Sequence, residues 1–331
     1  MIHTSALSGL GIAGQNITLS GKYGVDIFFV ISGFTIAKTY LESASYKAYL
    51  TQRLFRILPL YWGVLIFAFA ATTGSVDPNT PNGSAESTIG LYELTLNLFL
   101  VGYFDYPTVN SVLGVEWTIP IEVTWYIALP LLLPLLSRLK SLVPLILALA
   151  IFVVIAGYLS KAVYGTSAPI RFSPLAHGHW FFIGVFAYFA RLRSNSKLFS
   201  SSLSLYAVSC TMVFILPISM SGKGEILAIG TAILIANVSN QKAPLICDFL
   251  SQKLFLFLGT ISYSLYLLHP VAIGLLRQIG LQLDTKFLQF SVTLSVTIVL
   301  SVITYQLIEH PTNKLGRYVS KHLTSGKSLP A

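Results

Sequence analysis

Charged residues are scarce in this sequence. Only 12 acidic and 21 basic side chains occur among 331 residues, 10% of the chain, whereas soluble proteins contain about 25%. Cysteine is also rare, with 2 residues in the chain. Cys210 lies within an apolar segment, and Cys247 lies beside a loop. These absences exclude an ordinary soluble domain, a disulfide framework and a cysteine-based metal site.

Apolar residues make up 54% of the chain. They are grouped in windows of about 20 residues, the length at which an α-helix crosses a bilayer. The windows lie at 24–41, 56–74, 117–137, 142–160, 177–192, 203–220, 225–239, 254–276 and 288–308. This pattern predicts an all-α, polytopic transmembrane bundle with about nine spans. Because the windows fill the chain evenly and do not repeat, a single integral-membrane domain is predicted over 1–331.

A tenth apolar segment, 91–104, is short and contains Glu93, which favours an interfacial or partly inserted position. With this segment outside the membrane and loop 42–55 in the cytoplasm, 15 of the 21 basic residues lie inside and 6 outside. The bias predicts that 1–23 is an outer segment and that 309–331 is a cytoplasmic tail. Since no basic stripe with interleaved aromatic residues occurs, nucleic-acid binding is not predicted.

Two acidic residues stand out in apolar surroundings. Asp26 begins the string GVDIFFVISGF, and Glu122 lies in WTIPIEVTWY near Trp117. An ionisable group within a bilayer costs about 2.5–3.5 kcal/mol by insertion scales, so these residues favour a functional site. Two structural alternatives stay open. The alternative for Asp26 is that it caps the helix that it begins. The alternative for Glu122 is that it belongs to a structural ion pair.

Arg53 and Arg56 are spaced i and i+3 in RLFRILPLYW and therefore share one helix face. The forked guanidinium group suits phosphate recognition, which predicts an anion clamp at the inner surface. The alternative is that both residues are simple positive-inside anchors. No spacing typical of a metal site occurs, so no metal is predicted.

The histidine residues also allow two interpretations. His269 precedes Pro270, and the proline removes the helical hydrogen bond to the carbonyl of Tyr266. His269 is therefore either a site residue or a hydrogen-bonded side chain that fills the kink. His177 and His179 lie near the outer start of their helix, which favours an interfacial position.

Six strings, in order, resemble the acyltransferase-3 family of integral-membrane O-acyltransferases. They are GVDIFFVISGF, RLFRILPLYW, GVEWTIPIEVTWYIALPLLLPL, HWFFIGVFA, LGTISYSLYLLHP and YQLIEHP, which together extend from residue 24 to residue 311. The resemblance implies about ten membrane helices and transfer of an acyl group, often acetyl from acetyl-CoA. The implied acceptor is a hydroxyl of a surface or secreted carbohydrate, an antibiotic or a similar molecule. We therefore expect a multi-pass protein of a bacterial inner membrane, with lipid around it.

The resemblance also implies residue roles. His3 is expected to be the general base, Asp26 or Glu122 to orient it, and Arg53 and Arg56 to bind the CoA phosphates. The other residues expected to line the site are Ser32, Trp117, Tyr266, His269 and Glu309. Acylation of Ser32 is a weaker alternative, since Ser-Gly within a membrane helix more often permits close helix packing.

The sequence departs from the family pattern at its beginning. His3 is the third residue, so the membrane helix that the family places before this histidine is absent. Two expectations follow: the start is placed too far downstream, or the chain is a truncated and catalytically dead copy. A third interpretation is a transporter or flippase. Such proteins tend to have repeated halves with broken helices, which do not occur in this sequence.

Overall fold

The structure is a computed structural model of the protein. It describes residues 16, 19–43, 45–73, 90–105, 107–138, 151–152, 155, 158–159, 162, 172–191, 198–215, 223–240, 244–281 and 285–325. His3 lies outside the described residues.

Every regular element in the described ranges is a helix, which confirms the predicted all-α class. The α-helices are α1 (Tyr23–Leu41), α2 (Tyr46–Thr73), α3 (Leu91–Leu98), α4 (Thr118–Ser137), α5 (Pro174–Arg191), α6 (Leu198–Ile215), α7 (Lys223–Val238), α8 (Pro244–Leu250), α9 (Lys253–Gln278), α10 (Lys286–Thr304) and α11 (His310–Ser325). A 3₁₀ turn occupies Gly102–Phe104, and a π-helical turn, Tyr305–Glu309, joins α10 to α11.

Five stretches of helix in the described part are long and apolar enough to cross a membrane. They are Tyr23–Leu41, Tyr46–Ala71, Thr118–Ser137, Lys253–Gln278 and Lys286–Leu323. These stretches coincide with five of the predicted segments, but the count of about nine spans is not confirmed. The predicted segment 142–160 lies mostly outside the described residues.

Helix α2 begins at Tyr46 and not near residue 56, where the apolar window begins. Arg53 and Arg56 therefore lie inside the helix, about 10 and 15 Å from its start. Helix α3 has eight residues and rises about 12 Å, which is shorter than the hydrocarbon core of a bilayer. It packs on α2, where the hydroxyl of Tyr61 donates to the carbonyl of Asn97 at 3.1 Å.

Helices α1 and α5 approach each other very closely in the core. A Cβ atom at Gly33 would lie 2.0 Å from the carbonyl oxygen of Phe181, and one at Gly184 would lie 2.0 Å from that of Val30. Only glycine permits this distance between the two backbones. Next to this contact, the rings of Phe29 and Phe181 stack with centroids 4.9 Å apart. Gly33 thus has the packing role that the sequence favoured for the Ser-Gly pair.

The C-terminal helix α11 packs against α2. A Cβ atom at Gly316 would lie 2.6 Å from Cβ of Phe55, and Nε2 of Gln52 donates to the hydroxyl of Ser320 at 2.8 Å. The predicted tail 309–331 is therefore, as far as Ser325, a helix attached to the bundle. The side of the membrane on which it lies stays a prediction.

Candidate active site

A narrow cavity of about 210 Å³ lies between α1, α2, α4 and α9. We call it the central chamber. Most of the atomic surface that faces the chamber is apolar, although ten polar side chains contribute to the lining: Ser32, Thr35, Arg53, Arg56, Thr118, Glu122, Tyr126, Ser262, Tyr263 and Tyr266. Helix α1 contributes Val25, Phe28, Ser32 and Thr35, which are three or four residues apart and so form one helix face.

Glu122 is buried in the wall of the central chamber, with 2% of its surface exposed. Its Oε1 atom accepts hydrogen bonds from Ser32 Oγ at 2.9 Å and from the hydroxyl of Tyr126 at 2.5 Å. Its Oε2 atom is buried and has no hydrogen-bond partner among the described residues. The structure thus presents a carboxylate oxygen with free acceptor capacity in a chamber that is otherwise mostly apolar.

Arg53 and Arg56 differ in how the protein uses them. Arg53 is buried, and its Nη2 donates to the carbonyl of Thr35 at 2.8 Å and to the hydroxyl of Thr39 at 2.6 Å. Its guanidinium carbon lies 5.3 Å from the centre of the Tyr126 ring. Arg56 is exposed and forms no ion pair within the described ranges. Arg53 is therefore partly anchored, whereas the donors of Arg56 are available to a ligand.

A second, more polar cavity of about 530 Å³ adjoins the central chamber; we call it the vestibule. Arg53, Arg56, Ser262 and Tyr263 line both cavities, so these residues form the junction between them. Glu309, in the π-helical turn, also lines the vestibule and accepts a hydrogen bond from the hydroxyl of Ser264. π-Helical turns of this kind occur frequently at functional sites.

The structure does not bring Asp26 and Glu122 together. Asp26 is absent from the lining of the central chamber, and its Oδ2 atom faces Gly224 of α7, where an added Cβ would lie 3.0 Å away. Along α1, Asp26 lies six residues, about 9 Å, from Ser32, the partner of Glu122. The two acids therefore lie at different places in the bundle, and which of them orients the base stays a prediction.

His269 fills the kink at Pro270. Its Nδ1 atom forms a 2.6 Å hydrogen bond with the carbonyl of Tyr266, the group that the proline leaves without a helical donor. His269 lines neither cavity. This geometry supports the kink-filling alternative. Tyr266 does line the central chamber, and its hydroxyl donates to the carbonyl of Val115 at 2.9 Å.

Trp117 lies beside the central chamber in an aromatic cluster. Its ring centre is 5.2 Å from that of His177, 5.1 Å from that of Phe172 and 6.3 Å from that of Phe29. Trp117 does not line the chamber. His177 is accordingly packed among aromatic rings.

Glu116 is a buried carboxylate that the sequence does not single out. Its carboxylate accepts backbone N–H groups of Val112 at 2.6 Å and Val115 at 2.9 Å, which fixes the turn before α4. Complete burial raises the pKa of Glu116, although these N–H donors act in the opposite direction. The hydrogen bonds of Glu116 depend on the path of the loop before α4. Nothing in the local sequence shows that this loop folds back on the side chain.

The arrangement has the parts that recognition of a long, anionic ligand requires. Two arginines lie where a polar vestibule meets a narrow apolar chamber, and a carboxylate with a free oxygen lies within that chamber. No group of three or more His, Cys, Asp or Glu side chains that could hold a metal ion occurs in the described part of the chain. The absence of a metal from the reaction stays a prediction.

Comparison with known proteins agrees with the resemblance. Residues 1–306 match the acyltransferase-3 family, described as an acyltransferase domain. The chain is 28% identical to the exopolysaccharide production protein ExoZ of Rhizobium meliloti over 331 aligned positions, which cover 95% of each protein. It is 27% identical to the O-acetyltransferase OatA of Staphylococcus aureus over 94% of this chain and 56% of OatA.

A shorter match links the chain to nodulation protein 10 of Rhizobium leguminosarum, with 31% identity over 139 positions, 38% of this chain and 37% of the relative. No solved structure matches. The family match covers most of the chain, and it includes the helices that line the central chamber. The protein is therefore an acyltransferase that belongs to the acyltransferase-3 family.

Proposed function

We propose that the protein is a membrane O-acetyltransferase that moves an acetyl group from acetyl-CoA to a hydroxyl of a carbohydrate, such as a surface polysaccharide. The observation that carries the proposal is the position of Arg53 and Arg56 at the junction of the vestibule and the central chamber. The names of two relatives, an exopolysaccharide production protein and an O-acetyltransferase, support the acetyl group and the acceptor class.

The junction suits the diphosphate of CoA. Arg56 offers a guanidinium group that forms no hydrogen bond or ion pair in the described part of the chain, and Arg53 retains donors beyond the Nη2 that binds α1. Guanidinium groups form paired, charge-assisted hydrogen bonds with phosphate oxygens. A CoA molecule bound here would place its nucleotide in the vestibule and its pantetheine arm in the central chamber.

The central chamber is long enough to hold much of the pantetheine arm. It follows α1 from Thr35, which binds Arg53, to Gly24. Eleven residues of helix span about 16 Å. The thioester would then lie near the end of the chamber formed by Gly24, Val25 and Phe28. Glu122, close to the junction, would accept a hydrogen bond from the arm through Oε2.

The reaction needs a base for the acceptor hydroxyl. That oxygen attacks the thioester carbonyl carbon, the base takes the hydroxyl proton, the carbon–sulfur bond breaks, and CoA leaves as a thiolate that is then protonated. His3 is the proposed base, as the family resemblance implies, and Asp26 is the acid nearest to it in sequence. A positioned base contributes about 10²- to 10⁴-fold to the rate.

The proposed orientation places the vestibule in the cytoplasm, where acetyl-CoA is made, and the opposite end of the central chamber towards the outside. The vestibule carries Arg53, Arg56 and Arg317, consistent with the positive-inside bias. We propose a multi-pass location in a bacterial inner membrane, with the C-terminal helix α11 on the cytoplasmic side.

The direct test is acetyl transfer by the full chain in proteoliposomes. Acetyl-CoA with a labelled acetyl group is supplied on one side, and release of the CoA thiol and labelled ester on added polysaccharide are both measured. The proposal expects equal amounts of thiol and ester, and Glu122→Gln serves as the impaired control. Movement of polysaccharide without thiol release would favour a transporter, and neither product would favour an inactive copy.

A further inference from the structure

Helix α11 supplies part of the vestibule wall. His310, Asn313 and Arg317 all line the cavity, and their spacing of three and four residues places them on one face of the helix. The neighbouring face, with Gly316 and Ser320, packs on α2. These three residues lie beyond residue 306, where the family match ends. Helix α11 therefore forms one wall of the vestibule, and Asn313 and Arg317 in that wall lie outside the matched region.

The positive charge of Arg317 is not neutralised within the vestibule. The two acids that line it interact with other cations, since Glu42 lies 3.9 Å from Arg191 and Glu309 interacts electrostatically with Arg56. The guanidinium group of Arg317 forms no ion pair within the described ranges. A polar cavity with such a cation in its wall is suited to an anionic group of a ligand.

The order of the cavities distinguishes Arg317 from the arginines of the junction. Arg53 and Arg56 line both cavities, whereas Arg317 lines only the vestibule. CoA has a matching order: the pantetheine arm, then the diphosphate, then a ribose with a 3′-phosphate. A ligand whose arm occupies the central chamber and whose diphosphate lies at the junction must have its 3′-phosphorylated nucleoside in the vestibule.

We propose that Arg317, with Asn313 beside it, binds the 3′-phosphate of CoA and thereby selects 3′-phosphorylated donors. The inference rests on the proposed function, because it assumes that CoA enters from the vestibule. It assigns a specificity role to α11, a helix otherwise understood only as a tail.

The test compares binding of CoA and 3′-dephospho-CoA to the full-length protein in detergent, by titration calorimetry, for wild type and Arg317→Gln. Wild type is expected to bind CoA about tenfold or more tightly than 3′-dephospho-CoA, as expected of one lost charge-assisted contact. In Arg317→Gln the affinity for CoA should fall to that for 3′-dephospho-CoA, while the affinity for 3′-dephospho-CoA stays unchanged. Lys314→Gln is the matched control, since Lys314 has the same charge on the same helix but does not line the vestibule.

Two results of these titrations would overturn the inference. An equal loss for both ligands in Arg317→Gln would show a general effect on the cavity, and equal binding of both ligands by wild type would remove the 3′-phosphate preference. Failure of the proposed function is distinguishable, because these titrations do not need turnover. Wild type that prefers CoA but transfers no acetyl group would overturn the proposed reaction and retain the subsite.

Discussion

Ser32 and Glu122 are joined by a 2.9 Å hydrogen bond in the wall of the central chamber, although 90 positions separate them in the sequence. The bond connects α1 to α4, and the hydroxyl of Tyr126 donates to the same carboxylate oxygen. A buried carboxylate is unfavourable unless such donors satisfy it. Its second oxygen has no partner among the described residues, so the site is arranged to accept one more hydrogen bond.

Glu122→Gln should therefore lower turnover while the protein still accumulates. Glutamine keeps an oxygen acceptor for Ser32 and Tyr126, but it replaces Oε2 by an NH₂ donor and removes the negative charge. We expect kcat to fall by at least about tenfold, which corresponds to about 1.4 kcal/mol of transition-state stabilisation. Acetyl transfer per amount of purified protein is the measurement. Glu93→Gln, outside both cavities, is the control, and wild-type rates in Glu122→Gln would assign Glu122 a structural role.

Arg53→Ala and Arg56→Ala should have different effects. Arg56 forms no hydrogen bond or ion pair within the described ranges, so its loss should raise KM for acetyl-CoA by about 10- to 100-fold, as expected of a charge-assisted contact of 1.5–3 kcal/mol. Arg53 also binds Thr35 and Thr39, so Arg53→Ala should lower thermal stability as well. Kinetics and melting curves in detergent are the two measurements. An unchanged KM in both variants would contradict the phosphate clamp.

Gly33→Ala should prevent α1 and α5 from packing. The added methyl group would lie 2.0 Å from the carbonyl oxygen of Phe181, and backbone cannot move aside as a side chain can. Overpacking typically costs about 1–3 kcal/mol or more, so we expect a lower melting temperature and less protein in the membrane. Gly274→Ala, where no described atom lies within 4 Å, is the matched control. Equal stability of the two variants would show that α1 and α5 separate easily.

The sequence predicted the all-α class, the five apolar helices long enough to cross a membrane in the described ranges, and several residues of the central chamber. Apolar windows identify helices because burial and bilayer length constrain every residue of a span in the same way. Ionisable residues within such windows are rare, which is why the sequence singles out Glu122. Arg53 and Arg56 are singled out by their i, i+3 spacing, which places them on one helix face. All three line the central chamber.

What the sequence could not predict depends on which helix faces meet. The period of a wholly apolar helix does not reveal its partner, so the sequence could not show that Asp26 faces Gly224 while Glu122 is bonded to Ser32. For the same reason, the sequence did not predict that Asn313 and Arg317 line the vestibule. In α11 the polar residues suggested only a tail, because the contact with α2 joins residues more than 250 positions apart.

His269 allows a test that separates a structural from a catalytic role. Its Nδ1 atom satisfies the carbonyl of Tyr266 at 2.6 Å, and it lines neither cavity. His269→Ala should therefore cost about 1 kcal/mol of stability, the usual effect of one hydrogen bond. His269→Asn should recover part of it, since the amides of Asn97 and Asn237 already donate to carbonyls one turn earlier. Melting curves and acetyl transfer are measured together. A stable His269→Asn protein that has lost turnover about a hundredfold would make His269 a catalytic residue, because the kink would then be intact without the imidazole.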